Sequence, residues 1–414
     1  MNEKFDTIVI GGGPSGMMAA IFAAQCGGRI ALMEANEFLG KKLLLTGGGR
    51  CNITNNCPNL EKLLDHYGPK GGFLRYAFQA FGPLEVMNFF SDRGLALKEE
   101  TGGKIFPKSD KARDVLRILE QELHKCDVLI LANAKAEEFL MEDGLISKVR
   151  ANTAHGIEHY QANNFIIACG GSAYPSTGSD GSIFPILRKL GHKIIPLKPA
   201  LVPLLSSDRY CIDLQGLGFS NTILTFYAQG KRKFGISGPL IFTHQGLSGP
   251  AVLNASKQVG ELPLPVMVKI DFFPHIDNQQ LLSRLQSCVQ KNGAKYLSNC
   301  FEQILPARLI GAILDIAMIP PGKKCAELKN SDKAKILELM RNFPVSISGT
   351  GDLNNAMVSA GGVDLGEIDA KTMRSKLFHN LFFAGEVLDL DADTGGFNMQ
   401  SAWSTGYLAG NATK

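Results

Sequence analysis

The sequence predicts an α/β protein in which a Rossmann-like nucleotide-binding domain is formed by both chain ends and interrupted by a β-rich domain and a helical insertion. Three observations predict it. The β-branched run Thr7–Ile10 leads into Gly11-Gly12-Gly13-Pro14-Ser15-Gly16 and then into small or apolar residues through Ala24, which reads as strand, glycine turn and helix. Near the other end, Leu381–Ala384 runs into Gly385-Glu386, and Gly395-Gly396-Phe397-Asn398 opens a last helical stretch. Between these ends, from about Pro196, short β-runs alternate with Pro and Gly, and from about 276 a helical spacing replaces them.

The first segment is G-x-G-x-x-G in its proper context. Gly11 permits the tight turn, Gly13 lets backbone approach a pyrophosphate, and Gly16 lets helix pack closely on strand. N–H groups at the helix start, next to Pro14 and Ser15, then face phosphate. A second strand, Arg29–Met33, ends at Glu34-Ala35. Glu34 stands 23 residues after Gly11, near the spacing at which an acidic residue reads a ribose. A dinucleotide held by both ends of so long a chain is expected to be FAD.

The elements between follow in order. Leu39 to Asn52 is a basic, glycine-dense loop containing Lys41, Lys42, Thr46, Gly48, Gly49 and Arg50, able to turn N–H groups toward anions and to bring backbone against a flat ring. Phe78–Arg93 and Ala112–Lys125 carry helical spacing, and Val128–Ala132 and Ala134–Phe139 read as strands. Phe165–Cys169 is a buried strand ending in Gly170-Gly171, followed by a polar turn and a helix over Ile183–Leu190. The similar segments Gly235–Pro239 and Gly246–Pro250 read as turns, and neither is a G-x-S-x-G elbow. These readings divide the chain into an FAD-binding domain over 1–195 and 352–414, a β-rich, barrel-like domain over 196–275 and 342–351, and a helical insertion over 276–341. The interruption is the natural substrate lid.

Composition excludes several classes. With 45% hydrophobic and 20% charged residues the chain has ample core, and a formal net charge of +4 over 414 residues gives no reason to expect nucleic acid as a partner. No run of about 18 apolar residues or leader-like start is present, so no membrane association and a cytoplasmic location are expected. The nine cysteines lack a C-x-x-C pair, Cys51 and Cys57 being the closest two, and the eight histidines are dispersed, so no metal site is indicated. The sequon Asn52-Ile53-Thr54 has no role in such a protein.

The motifs together resemble the BaiN-like, or aminoacetone-oxidase, family of bacterial FAD-binding enzymes, often labelled NAD(P)/FAD-dependent oxidoreductases. The resemblance rests on IGGGPSGMMAA at 10–20, LGKKLLLTGGGRCNITN at 39–55, YPSTGSDGS at 174–182, FTHQGLSGPAVLNAS at 242–256, GGVDLGEID at 361–369 and FFAGEVLDLDADTGGFNMQSAWSTGYLAG at 382–410. It implies a flavoprotein fold with a β-rich domain and helical insertion. It further implies that Gly11, Gly13, Ser15 and Gly16 hold the pyrophosphate and Glu34 the adenosine ribose. Lys41, Lys42, Thr46, Gly48, Gly49, Arg50 and Asn52 would lie along the pyrophosphate and isoalloxazine, with the backbone of Ala136 at adenine and Gly170 beside the site. Gly385 and Glu386 would reach the ribityl chain or pyrophosphate, and Gly396, Asn398 and Met399 would set a helix N-terminus at the flavin N1 and O2 edge.

Flavin carries the redox chemistry, and the chain supplies position, polarity and access. The expected reaction is hydride transfer from a small-molecule substrate to flavin N5, as in an amine oxidase that passes its electrons to oxygen. The alternatives are an NAD(P)H-dependent reductase of a C=C or C=O bond and a non-catalytic or RNA-associated flavoprotein. No Ser/His/Asp or Cys/His set announces a catalytic group. The candidates are Lys41 and Lys42, which could aid oxygen reaction through water, Tyr174, which follows the Gly170-Gly171 turn, and His244, in the 242–256 motif. Gly349-Thr350-Gly351-Asp352-Leu353-Asn354 lacks a third glycine, so no second nucleotide domain is expected and reduction by NAD(P)H should saturate poorly.

Overall fold

The computed structural model describes residues 4–414. The chain divides into two compact units, one built from residues up to Ala200 and from Leu353 onward, the other spanning Leu201–Asp352. The first unit is organised by a parallel sheet. In space its strands run Leu129–Leu131, Ile30–Met33, Lys4–Ile10, Gly156–Ile167 and Leu381–Phe383. Val9 lies opposite both Leu32 and Ile166, and Ile166 opposite Phe382. Strands covered on both faces need continuous apolar runs, and Ile8, Val9, Ile166 and Phe383 are wholly buried. The same sheet continues on the other side of Gly156–Ile167 as an antiparallel meander with Leu145–Thr153 and Lys135–Glu142.

The first helix, Pro14–Gln25, and the last, Phe397–Asn411, pack against each other. Gly406 and Gly410 permit the approach: a Cβ on either would lie 2.4 Å from the carbonyl oxygen of Ser15 or of Ala19. Trp403 is fully buried and donates to the Ile53 carbonyl at 2.8 Å, so the last helix also holds the glycine-dense loop. The helix expected over Phe78–Arg93 is two helices, Arg75–Ala80 and Pro83–Ser91. Pro83 has no N–H to continue the first and is preset to start the second.

In the second unit one sheet runs Phe343–Ile347, Val266–Asp271, Gly218–Ala228, Lys231–Thr243, Gly246–Ser248, Leu204–Leu205 and Gly349–Thr350. Its two edge strands are consecutive in the chain, separated by Ser348 alone, so the sheet curls until its edges approach. Gly235–Pro239 is not a turn: it lies within the 13-residue strand Lys231–Thr243, where Gly238 takes φ +144° and its carbonyl accepts from the Thr222 hydroxyl at 2.7 Å. Helices Asn278–Lys291, Leu297–Cys300, Ala307–Ile316 and Asn330–Arg341 bury their apolar stripes in the same core.

One buried polar contact ties the approach to the last parallel strand into the first unit. The His192 ring lies 2.9 Å (Nδ1) from Glu367 Oε2 and 3.1 Å (Nε2) from Ser375 Oγ. Ser375 Oγ accepts from the backbone N–H of Leu377 and Phe378, so its hydrogen goes to Nε2 and the imidazole proton sits on Nδ1, toward Glu367. Burial lowers the His192 pKa, against the upward pull of Glu367. The unfolded chain takes up this proton near pH 6.5 and the folded chain only at lower pH. Below about 6.5 the unfolded state therefore binds more protons, and stability falls with pH until the folded value is passed. His192→Gln should shrink the loss of urea midpoint between pH 7 and pH 5 relative to wild type, although it lowers the midpoint at pH 7.

Candidate cofactor site

Loops at the C-terminal ends of the parallel strands form the site, as is general for open α/β sheets. A Cβ on Gly11, at φ +111°, would lie 2.4 Å from the Ala168 carbonyl oxygen, and one on Gly16 would lie 1.8 Å from the Gly11 carbonyl oxygen. Both glycines are demanded by packing. Gly13 differs, with φ −79° and no atom within 4 Å of a would-be Cβ. The fold does not need its missing side chain. What the glycine opens is space before the first helix, which starts at Pro14 with no side-chain cap. Ser15 is buried in that first turn. Uncapped N–H groups and the positive end of the helix dipole suit a diphosphate.

Glu34, only 9% exposed, continues the second strand. Its Oε2 accepts from the Gly12 N–H at 2.7 Å, and its Oε1 from the backbone and side-chain amides of Asn36 at 2.8 and 2.6 Å. A carboxylate has about four acceptor positions, so Glu34 retains capacity for a ribose hydroxyl while also fixing the glycine turn. Asn36, which sequence reading did not single out, extends the network: its amide donates to the Thr177 carbonyl at 3.0 Å and its oxygen accepts from Lys41 at 3.4 Å. Ala35 is exposed. Ala136 stands early in strand Lys135–Glu142, and the preceding Ala134 donates to the Glu34 carbonyl at 2.9 Å, bringing this segment to the same edge.

The glycine-dense loop is a short helical turn broken by left-handed backbone at Gly47, Gly48 and Gly49. Gly48 meets nothing within 4 Å of a would-be Cβ, so that face is open. Thr46 turns its hydroxyl back to the Leu43 carbonyl at 2.6 Å. Arg50 is engaged elsewhere. Its guanidinium pairs with Glu100 at 2.9 Å and Asp110 at 3.3 Å and stacks over Phe106, clamping the loop to the hairpin Leu97–Glu100 and Lys104–Pro107. The buried Asn52 Oδ1 has no hydrogen-bond partner among the described residues. It lies 3.0 Å from where a Gly396 Cβ would be. Gly396, at φ +102°, opens the last helix without a side-chain cap. The Asn398 side chain bonds Ala392 through both its amide groups, which leaves its backbone and that of Met399 as its contribution at the helix start.

Glu386 is bonded through both of its oxygens. One oxygen accepts from the Ser359 N–H and hydroxyl at 2.8 and 2.9 Å, and the other pairs with Lys42 at 2.7 Å. Ser359 Oγ also accepts from the Ser172 N–H at 3.0 Å. Glu386 thus anchors Lys42 at the wall beside Gly171. Gly385, at φ +77°, sits where a Cβ would be 2.4 Å from Ser15 Oγ, and its N–H donates to Thr405 Oγ1 at 2.9 Å. Ser359 and Thr405 left no local signal in the sequence because their partners lie 27 and 20 residues away.

Gly170 (φ +75°) and Tyr174 (φ +55°) shape the polar turn, the latter in a conformation uncommon for an aromatic residue and held by its N–H on the Leu353 carbonyl at 3.3 Å. Burial pushes the Cys169 thiol up to about 12, so it is no nucleophile. His244 is exposed at the turn joining strands Lys231–Thr243 and Gly246–Ser248 in the second unit. Among the described residues no cluster of His, Cys, Asp and Glu could hold a metal ion, and no helix is long and apolar enough to cross a membrane.

The open cradle at Gly13, the open face at Gly48, two uncapped helix starts and the orphaned Asn52 oxygen fit a dinucleotide with a hydrogen-bonding ring. Comparison with known proteins agrees. Residues 5–412 match the family model described as HI0933-like protein Rossmann domain. The 3-dehydro-bile acid delta(4,6)-reductase of Clostridium scindens is 33% identical over 411 residues, covering 98% of each chain. A ribosomal RNA dihydrouridine synthase of Escherichia coli is 28% identical over 411 residues, covering 98% of this chain and 97% of the relative. Among solved structures, the 3-ketosteroid-delta4-(5alpha)-dehydrogenase from Rhodococcus jostii RHA1 shares the fold with a TM-score of 0.56 at 14% identity, covering 100% of this chain and 97% of that one. Glycine cradle, uncapped helices and full-length match converge: the chain belongs to the HI0933-like family and is an FAD-dependent oxidoreductase.

Proposed function

We propose that this enzyme reduces a C=C bond conjugated to a carbonyl group in a small molecule. The observation that carries the reading is the pair of full-length relatives, one named as a reductase of a 3-dehydro-bile acid and one as a dihydrouridine synthase. A delta(4,6) 3-oxo steroid and a uracil ring share that conjugated group. When bound, FAD supplies a flavin ring that exchanges two electrons and a proton as hydride at N5.

The residues of the chain then have these roles. Gly13 and the start of the first helix take the diphosphate, Glu34 and the Ala136 segment the adenosine, and Asn52 with the start of the last helix the polar edge of the ring. Lys42, pinned by Glu386, places its ammonium donor at the wall. The last helix start favours the reduced ring, because its dipole meets negative charge that grows on reduction. With no second glycine fingerprint, a nicotinamide nucleotide would visit the same place as the substrate. The unpaired state of the nine cysteines accords with a cytoplasmic location. Oxidation of a small amine, with oxygen as acceptor, would use the same site in the opposite direction.

Two experiments test this reading. Anaerobic holoprotein reduced by dithionite should be reoxidised by a 4-en-3-one steroid, and steady-state turnover with NADH or NADPH should give parallel double-reciprocal lines, the mark of alternating occupancy. Bleaching by aminoacetone followed by peroxide on adding air would favour the amine oxidase instead, and reoxidation by uridine-containing RNA alone would move the substrate to nucleic acid. The cofactor assignment is tested separately by a pair of variants. Gly13→Val should leave the apoprotein's urea midpoint unchanged yet weaken FAD binding by about 100-fold or more, roughly 2.7 kcal/mol. Gly16→Ala should instead destabilise the fold itself by about 1–3 kcal/mol.

A further inference from the structure

The chain holds a histidine–carboxylate pair beside the start of the last helix that none of the roles above uses. His66 lies between helix Leu60–Asp65 and the turn beginning at Gly68. Its ring stacks on Phe397, the first residue of the last helix, with centroids 3.7 Å apart and planes within 17°. Its Nδ1 meets Asp393 Oδ2 at 2.9 Å, and the Asp393 N–H donates to the His66 carbonyl at 3.0 Å. The two residues are thus joined through side chain and backbone alike.

The pair is fixed from both flanks. The Tyr67 hydroxyl donates to the Phe397 carbonyl at 2.5 Å, and the Asn398 amide reaches the Asp393 carbonyl at 3.3 Å. The nearby Lys70 is taken up by Asp389 at 2.5 Å, leaving Asp393 as the carboxylate bonded to His66. With Nδ1 committed to Asp393, the exchangeable position is Nε2, which has no hydrogen bond among the described residues, and the side chain is 37% exposed. A histidine oriented in this way by a carboxylate has the arrangement of a general acid–base.

We propose that His66, oriented by Asp393, is the proton donor for the C=C reduction, an inference that rests on the reading under Proposed function. Reduction of a conjugated C=C bond adds a hydride to the carbon remote from the carbonyl and a proton to the carbon next to it. The hydride comes from the reduced cofactor, whose electrons come from a nicotinamide nucleotide. As the C=C π pair moves onto the carbon next to the carbonyl, that carbon takes the proton from His66 Nε2. Nε2 is then reprotonated by water. Phe397 and Asp393 set the plane and tilt of the ring, so Asp393 is a positioning residue.

The test uses reduced holoprotein with a 4-en-3-one steroid and, in parallel, uridine-containing RNA. His66→Gln should keep the wild-type flavin spectrum and the wild-type spectral response to a saturated 3-oxo steroid, which binds and cannot react. Its flavin reoxidation by the unsaturated substrate should slow by about 100-fold or more, the usual range for loss of a general acid. Free imidazole should restore part of the rate to His66→Ala and none to a Gly13→Val control. Asp393→Asn should slow reoxidation less than His66→Gln does. Reoxidation of His66→Gln at the wild-type rate overturns the proposal and leaves the C=C reading standing. Loss of flavin or of saturated-ketone binding in His66→Gln also overturns it, in favour of a structural role. If neither unsaturated substrate reoxidises the wild-type protein, the C=C reading fails and the proposal falls with it.

Discussion

The cofactor site depends on the close approach of the first and last helices. Gly406 and Gly410 lie so near the backbone of Ser15 and Ala19 that a single methyl group at either would overlap a carbonyl oxygen. Gly385 meets the Ser15 side chain under the same restriction and is bonded to Thr405 on the last helix. Three short segments that are remote in sequence are therefore locked together: the start of the first helix, the turn after the last parallel strand and the last helix. At Gly406 and Gly410 an added Cβ cannot be absorbed by a rotamer change, because the nearest opposing atoms are backbone carbonyl oxygens, and at Gly385 the φ of +77° itself disfavours a side chain. The constraint acts on geometry before chemistry, and it brings the two ends of one chain together.

The parallel core was legible because its signals are local. Thr7–Ile10, Ala112–Lys125 and Leu381–Phe383 each carry enough apolar pattern to declare a buried strand or an amphipathic helix. So do the glycines whose role is backbone geometry, Gly11 and Gly16. Legibility failed where an element's role is set by a distant partner. Gly235-Ile236-Ser237-Gly238-Pro239 reads locally as a turn, yet its pairing with Gly218–Ala228 keeps it extended. Gly82-Pro83 divides what periodicity alone makes one helix.

The same distinction governs the polar residues. Arg50 looks like an anion ligand in a loop of lysines and glycines, but Glu100, Asp110 and the Phe106 ring, brought by a hairpin some 50 residues on, claim its guanidinium. Glu386 reads from the sequence only as a direct cofactor contact, whereas in the structure it also ties Ser359 to Lys42. A carboxylate in a partly buried position must be satisfied by something. Which partner satisfies it is a property of the tertiary fold, and the sequence carries no mark of the choice.

These pairings also decide what electric field the site presents. Lys42 is matched by Glu386, Lys70 by Asp389, and Arg50 by Glu100 and Asp110. Lys41 is the exception, since its ammonium meets the Asn36 amide, on the Glu34 side. With Lys42, Lys70 and Arg50 each matched in place, much of the positive potential left at the site comes from oriented backbone at the starts of the first and last helices. Such dipoles cannot swing away or be drawn off by a counter-ion as a free lysine can, so their field is organised before the cofactor binds. On the proposed reading the two helix starts would serve two different negative charges, the permanent one of a diphosphate at the first helix and the one that grows on reduction of the ring at the last. Because the Gly406 and Gly410 contacts fix one helix against the other, both helix starts are positioned by the same packing.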